Sequence, residues 1–339
     1  MLTAKDVKKM AREYGADLVG IASMDRFEGA PKERDPRYIF PEAKSCVVMA
    51  FRIPRGYFRG IEEGTYFSAY TSMGYAGINE VFAPAVIRRL CCFIEDHGYE
   101  AVPLPNIYLR ANVDWYGPVN RSIPVREGLP EPDIMIDMRV AAFVAGLGQF
   151  GWSKVFLTPE FGPMQRFAAM LTDYELEPDP IFTGKICDRC MRCAKACTGN
   201  AISTTESDRV TIAGHVCEFA KIDLQKCGYA YRGGNSEYNP FLKDGQRLED
   251  FPGGQIIPLY MRHQSALEGA RGCMRECYVH LEETGRLTHK FATKFRKRKP
   301  WKIDRSKAKP EAGADNQEGY LLLGDAKAAK PKEDGKTLF

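Results

Sequence analysis

Residues 187–197 read CDRCMRCAKAC, four cysteines in eleven residues at spacings of two, two and three. Thiols that close need something to bind. The C-x2-C-x2-C-x3-C spacing is that of bacterial ferredoxins around a [4Fe–4S] cluster. Three thiolates two residues apart wrap one face of the cubane. The fourth sits on the next helical turn and points away, toward a second cluster. The motif therefore asks for more cysteines, and the chain supplies Cys217, Cys227, Cys273 and Cys277.

The crossed pattern assigns Cys187, Cys190, Cys193 and Cys277 to one cluster. Cys197, Cys227 and Cys273 go to the other. A complete second motif would place a further cysteine at position 270, which is Ala270, so Cys217 is the candidate fourth ligand. If Cys217 does not reach, the second cluster is three-iron or takes a non-cysteine ligand. Thr198 stands where the motif usually has proline. Zinc also binds C-x2-C pairs, but usually as two separated pairs. A tight triplet with four further cysteines fits iron–sulfur better. Eight of the eleven cysteines lie between Cys187 and Cys277. The odd total argues against a disulfide framework and for a reducing compartment. Cys46, Cys91 and Cys92, on an expected strand and helix, read as buried core thiols.

No run of about 18 apolar residues exists, so no membrane span is expected. The start, MLTAKDVKKMAREYGADLVG, is charged and amphipathic with no export signal, so a cytoplasmic chain is expected. A net charge of +4 is no argument for nucleic acid. The basic run KFATKFRKRKPWK (290–302) reads as a solvated end, or else as a docking surface for an acidic partner.

Thr3 caps an expected helix over 4–14, followed by strands at 16–22 and 45–51. A helix over 77–98 carries Pro84 in its first turns and stops at Gly98. A short strand covers 100–105, and 106–132 reads as a long loop. A small-residue helix at 140–152 runs into a glycine turn. Two strands joined by a Pro-Gly hairpin fill 154–173. Strands alternating with helices suggest an α/β domain over 1–180. The cysteine region occupies 181–285, and 286–339 reads as a basic, largely extended tail in which 319–324 could dock as a strand.

No dinucleotide fingerprint, P-loop or D-x-H-x-x-G corrinoid motif is present. GLGQFG (146–151) is a lone glycine turn. The electron acceptor is therefore not named by any motif.

Several blocks, however, resemble the corrinoid-dependent reductive dehalogenases, in the same order along most of residues 5–285. They are YGADLVGIASMDRF (14–27), FPEAKSCVVMAF (40–51), GYAGINEVFAPAVIRRLCCFIEDHGYEAVP (74–103) and AGLGQFGWSKVFLTPEFGP (145–163), followed by the cysteine motif. Epoxyqueuosine reductase, a tRNA-modifying enzyme, is a sister family with the same layout. The resemblance implies a nitroreductase-like α/β (α+β) core holding base-off cobalamin, followed by a bacterial two-[4Fe–4S] ferredoxin-like domain. Cobalamin would be held largely by backbone contacts, in keeping with the missing D-x-H-x-x-G. The clusters would pass electrons one at a time to cobalt, to reduce a small organic substrate, with ferredoxin or flavodoxin as donor. The sequence leaves a homodimer open.

Tyr75 in MGYAGIN matches the family's proton-donor tyrosine, and Asn79 one turn on would orient substrate. Gly146, Gly148, Gly151 and Trp152 would lie against the cofactor. Both families place a basic residue where this chain has Trp152, and Lys154 is the nearest substitute. Epoxyqueuosine reductases carry an acidic residue where this chain has Gly74, which weakens the tRNA reading. An electron-transfer or corrinoid-reducing protein without its own substrate is the other alternative. It needs the clusters but not Tyr75.

Overall fold

Strand β2 (Ser45–Arg52), SCVVMAFR, is apolar at successive positions, and such a strand must be buried on both faces. The computed structural model describes residues 2–106, 122–231, 233–240, 271–297, 299–304 and 306. In it β2 lies inside a four-stranded sheet of order β1-β2-β6-β3, with β1 at Leu18–Ser23, β3 at Ala101–Leu104 and β6 at Gln165–Thr172. Side chains alternate across the sheet. Val47, Met49, Ala168 and Met170 enter one core. Cys46, Val48, Ala50, Phe167, Ala169 and Leu171 enter the other.

Helices α1 (Ala4–Tyr14) and α3 (Ala83–Glu95) cover the first face with Val7, Ala11, Val86, Ile87, Leu90 and Ile94. Thr3 and Asp6 form a reciprocal capping box at the start of α1, and Gly15, at φ 123°, ends it. Helix α4 (Met138–Val144) covers the second face with Ala141, Ala142, Phe143 and Val144.

The structure is mixed helix and strand, but every strand pair in the main sheet is antiparallel. The alternation of elements had suggested an α/β domain. The link from β1 to β2 carries only single 3-10 turns and no crossover helix, so β2 returns antiparallel. The expected helix over 77–98 is divided. Residues Ala69–Phe82 form a π-helix, and α3 begins after it with Pro84 in its first turn, where a missing N–H costs least. Between them and β2 lies the short helix α2 (Arg59–Glu63). Most of the 106–132 loop, and the strand expected at 319–324, lie outside the described residues.

Beyond β6 come α5 (Arg192–Lys195), a long hairpin of β7 (Ile202–Ile212) and β8 (His215–Ile222), α6 (Leu224–Tyr231) and α7 (Cys273–Glu283). The small strands β4 (Gln149–Phe150) and β5 (Phe156–Leu157) pair with each other. Met1–Ile303 forms one compact unit and Asp304–Phe339 a second. Among the described residues no helix is long and apolar enough to cross a membrane.

The basic run is largely exposed, as a solvated end would be, but particular side chains up to residue 302 dock on the chain. Arg55 lies 3.6 Å from the centre of the Phe291 ring. Trp301 Nε1 donates to the Ile61 carbonyl at 3.0 Å, and Lys299 pairs with Glu63 at 2.8 Å. Glu62, 8% exposed, is held between Arg275 and Arg296. Arg296, Lys299 and Lys302 thus meet carboxylates from elsewhere in the chain, which no local sequence signal announces.

Candidate metal centres and the tyrosine site

The loop that begins at Cys187 winds tightly because Arg189 and Met191 take positive φ, 59° and 61°. That brings Cys187, Cys190 and Cys193 round to face Cys277 on α7. Burial, then the charges of Cys193, Cys187, Cys190 and Cys273, raise the Cys277 thiol well above its usual value. Mutual repulsion of this kind is what a bound cation relieves. Four converging thiols suit a [4Fe–4S] cluster. The Trp152 backbone N–H lies 3.4 Å from Cys187 Sγ, in the position of a donor to a ligating sulfur. Asp188 accepts from the Cys190 N–H and pairs with His280 at 2.8 Å, an outer support that the sequence reading missed.

A second group forms beside the first. Cys197 raises the Cys227 thiol, after burial. Cys197 and Cys273 both pack against Trp152, Cys193, Ala194, Ile202 and Ala220. Cys273 and Cys277 sit one turn apart on α7. Cys217 does not join them. It lies on β8 in the second core, with Phe143, Phe150 and Phe219, and burial alone pushes its thiol up to about 11. Cys197 also lines an open cavity of about 550 Å³ with Lys195, Thr198, Asn200, Tyr238 and Trp301. Cys46 and Cys91 are buried, as expected of core thiols, but Cys92 is exposed on the outer face of α3.

Tyr75 and Asn79 project from the π-helix, a rare geometry that recurs at functional sites. The Arg166 guanidinium lies 3.9 Å from the centre of the Tyr75 ring. Its Nη2 donates to the Tyr70 hydroxyl at 3.1 Å, and that hydroxyl reaches Met274 Sδ at 3.7 Å. Tyr231 stands with its ring centre 6.0 Å from that of Tyr75. Burial works against the charge on Arg166, but Tyr70, Tyr231 and Tyr75 outweigh it and hold the guanidinium above its usual value. Met274 follows Cys273, whose charge raises the Tyr70 phenol further, after burial. The tyrosine site therefore borders the second cysteine group. Arg166 Nε and Asn79 Oδ1 are buried with no hydrogen-bond partner, so polar groups are left for a ligand to satisfy.

Arg166 escaped the sequence reading because an arginine at the start of an apolar strand looks like an exposed end. Its parity gives it away: 166, 168 and 170 share a face, and Ala168 and Met170 are core. The residues expected near the cofactor behave differently. Lys154, at φ 62°, sends its Nζ 4.7 Å from the centre of the Phe219 ring and is not brought to Tyr75. A Cβ on Gly146 would sit 2.2 Å from the Pro180 carbonyl oxygen, and one on Gly148 1.9 Å from that of Leu157. Gly151 packs on the Leu157 side chain. The chain's own backbone thus requires glycine at 146 and 148. Trp152, 6% exposed, packs beside Cys193 and Ala194 and donates from Nε1 to the Ser203 carbonyl.

No family model matches the chain. Among curated proteins it is 42% identical over 231 residues to a tetrachloroethene reductive dehalogenase of Sulfurospirillum multivorans, covering 58% of this chain and 40% of that one. It is 26% identical over 264 residues to the tetrachloroethene reductive dehalogenase of Dehalobacter restrictus, covering 68% and 45%. The chain therefore spans less than half the length of these relatives. Among solved structures, a catabolic reductive dehalogenase matches with TM-score 0.49 and 23% identity, over 69% of this chain and 30% of that one. Epoxyqueuosine reductase from Streptococcus thermophilus matches with TM-score 0.41 and 18% identity, over 64% and 57%. The order of blocks, the cysteine array and these sequence relatives agree: the chain is similar to the reductive dehalogenases.

Proposed function

We propose that this chain is a cobalamin- and iron–sulfur-dependent reductase acting on a small organic substrate, with Tyr75 as proton donor. The observation that carries the reading is the Tyr75 ring beneath the buried Arg166 guanidinium, next to the Cys273 side of the cysteine array. The relatives named above reduce tetrachloroethene by their names, and a dehalogenation of that kind is the reaction class. Residues 1–180 carry the substrate and cobalamin region, and 181–285 the metal centres. Bound cobalamin supplies the redox-active cobalt. The protein supplies electrons, a proton and a shaped polar site.

Cys187, Cys190, Cys193 and Cys277 would hold one iron–sulfur centre, with exposed Cys190 on the side open to a ferredoxin or flavodoxin. Cys197, Cys227 and Cys273 would hold a second beside Tyr70 and Met274, and such centres would supply the electrons for reduction. Tyr75 gives its hydroxyl proton to the carbon that accepts electrons. Arg166 then faces the phenolate and stabilises it, as a cation over an aromatic face does. Arg166 thereby takes the part of the basic residue that Trp152 displaces. Asn79, with its unsatisfied Oδ1, orients substrate. The tRNA reading is weakened further by Gly74. A Cβ there would sit 3.0 and 3.1 Å from the Tyr57 and Tyr70 rings, so a carboxylate at this position would require both rings to shift.

The test is Tyr75→Phe in protein reconstituted with iron, sulfide and cobalamin, assayed on tetrachloroethene and other halogenated substrates. Turnover should fall about 100-fold or more with iron and cobalt contents unchanged. Undiminished turnover removes Tyr75 from the chemistry. Retention of iron without cobalt leaves an electron carrier instead.

A further inference from the structure

We infer that the second centre is held by three cysteines only, Cys197, Cys227 and Cys273, and that its remaining metal position takes a small exogenous ligand from the neighbouring cavity. The inference rests on the iron–sulfur reading above. The count is closed, because all eleven cysteines are among the described residues. Cys46 lies on β2 inside the second core, and Cys91 and Cys92 lie on α3. Cys187, Cys190, Cys193 and Cys277 go to the first centre by their spacing; α5, with Cys193, packs against α7, and Cys187 and Cys277 pack on the same core. Only Cys217 is left to complete the second.

The alternation of β8 turns Cys217 the wrong way. Cys217 and Phe219 face the core of Ala22, Phe143 and Phe150. Ala220 and Ile222 face the cysteine loop. To exchange the two sets, β8 would have to slip by one residue against β7. That would break the pairs Val210–Cys217 and Asp208–Phe219 and expel Phe219 from its core. The Ala220 N–H, bonded to the Trp152 carbonyl at 2.8 Å, also fixes this register.

The second observation is independent of the count. Cys197 lines the cavity of about 550 Å³, so a group bound to Cys197 is within reach of solvent. Thr198, where the motif usually has proline, also lines that cavity. Its Oγ1 is buried with no hydrogen-bond partner. Lys195 and Asn200 add donors to the wall. Donors around an open ferric or ferrous position favour a water, hydroxide or small anionic ligand such as cyanide or an alkyl thiolate.

Such a centre gives up its open iron on one-electron oxidation. A [4Fe–4S]2+ cluster loses one electron to ferricyanide and one Fe2+ to solution, leaving [3Fe–4S]+. The experiment uses the full chain reconstituted anaerobically with iron and sulfide. Electron paramagnetic resonance, released-iron counts and cyanide as the ligand probe give the readouts. The expected result is about one Fe2+ released per chain, a three-iron signal, recovery on adding Fe2+ under reduction, and a cyanide-dependent change in the reduced spectrum. Cys217→Ser and Cys217→Ala should behave as the unsubstituted chain does, whereas Cys227→Ser should lose about half of the iron. Loss of about half of the iron in both Cys217 variants, or ferricyanide treatment that gives no three-iron signal, overturns the inference while leaving the iron–sulfur reading intact. An unsubstituted chain that takes up no cluster defeats that reading itself.

Discussion

At the scale of single residues, Tyr75 and Asn79 were legible as candidates because their segment resembles a family block, and the cysteine array because its spacing is that of a ferredoxin. Arg166 and Cys217 were not, because their roles depend on which way a strand faces. Arg166 makes a direct prediction. A cation over an aromatic face is worth about 0.5–2 kcal/mol, so Arg166→Met should slow turnover about 10-fold, and Arg166→Lys should recover part of it. An unchanged rate for Arg166→Met would show that the stacked cation is incidental. The thiols outside the metal centres make another. Burial pushes Cys46 and Cys91 up to about 12, whereas Cys92 is exposed. Since the thiolate is the reactive form, iodoacetamide on the metal-loaded native protein should modify Cys92 first, as read by peptide mass spectrometry.

At the scale of elements, β2 was readable because an unbroken apolar run marks a strand buried on both faces, and α1 because its capped 3.6-period contrasts one face with the other. The hairpin β7–β8 has none along most of β7, where Ser203–Thr211 is exposed or half-exposed, and it went unseen. Its one local sign was Ala213-Gly214, at φ 46° and 78°, the paired positive φ of a tight hairpin turn. The π-helix was missed for a different reason: apolar spacing near 3.6 does not distinguish it from the start of α3. Helix α4 offers a clean test of an element. Asp137 caps it by accepting from the Arg139 N–H at 2.9 Å. Burial raises the carboxyl's pKa, but Arg139 outweighs it and the net value is lowered. The cap's contribution is therefore present above the unfolded carboxylate value and lost as pH falls through the folded one. Asp137→Ala should cost about 1 kcal/mol near neutrality. In denaturant melts that difference should shrink below about pH 4. A difference that persists there would mean the carboxylate charge is not what holds the cap.

At the scale of the whole chain, the strap over residues 287–303 shows what local reading cannot supply. Its lysines and arginines look like a solvated end until Glu62, Glu63, Ile61 and Arg55 are brought beside them from more than two hundred residues away. Glu62 is the hub, and its removal leaves Arg275 and Arg296 without their shared counter-charge. Glu62→Ala should therefore destabilise the protein by about 3–5 kcal/mol, seen as an early thermal transition. A loss under 1 kcal/mol would show that Glu276, 2.7 Å from Arg275, and water suffice for the two arginines.

Helix α7 joins that hub to the cysteine array. Arg275 lies between Cys273 and Cys277 and binds both Glu62 and the Arg296 carbonyl. Because α7 carries both the thiols and the docking site of the strap, any metal bound there is expected to stabilise the strap as well. The basic run would then serve as a gauge of metal content: limited proteolysis should cut it faster when iron is withheld.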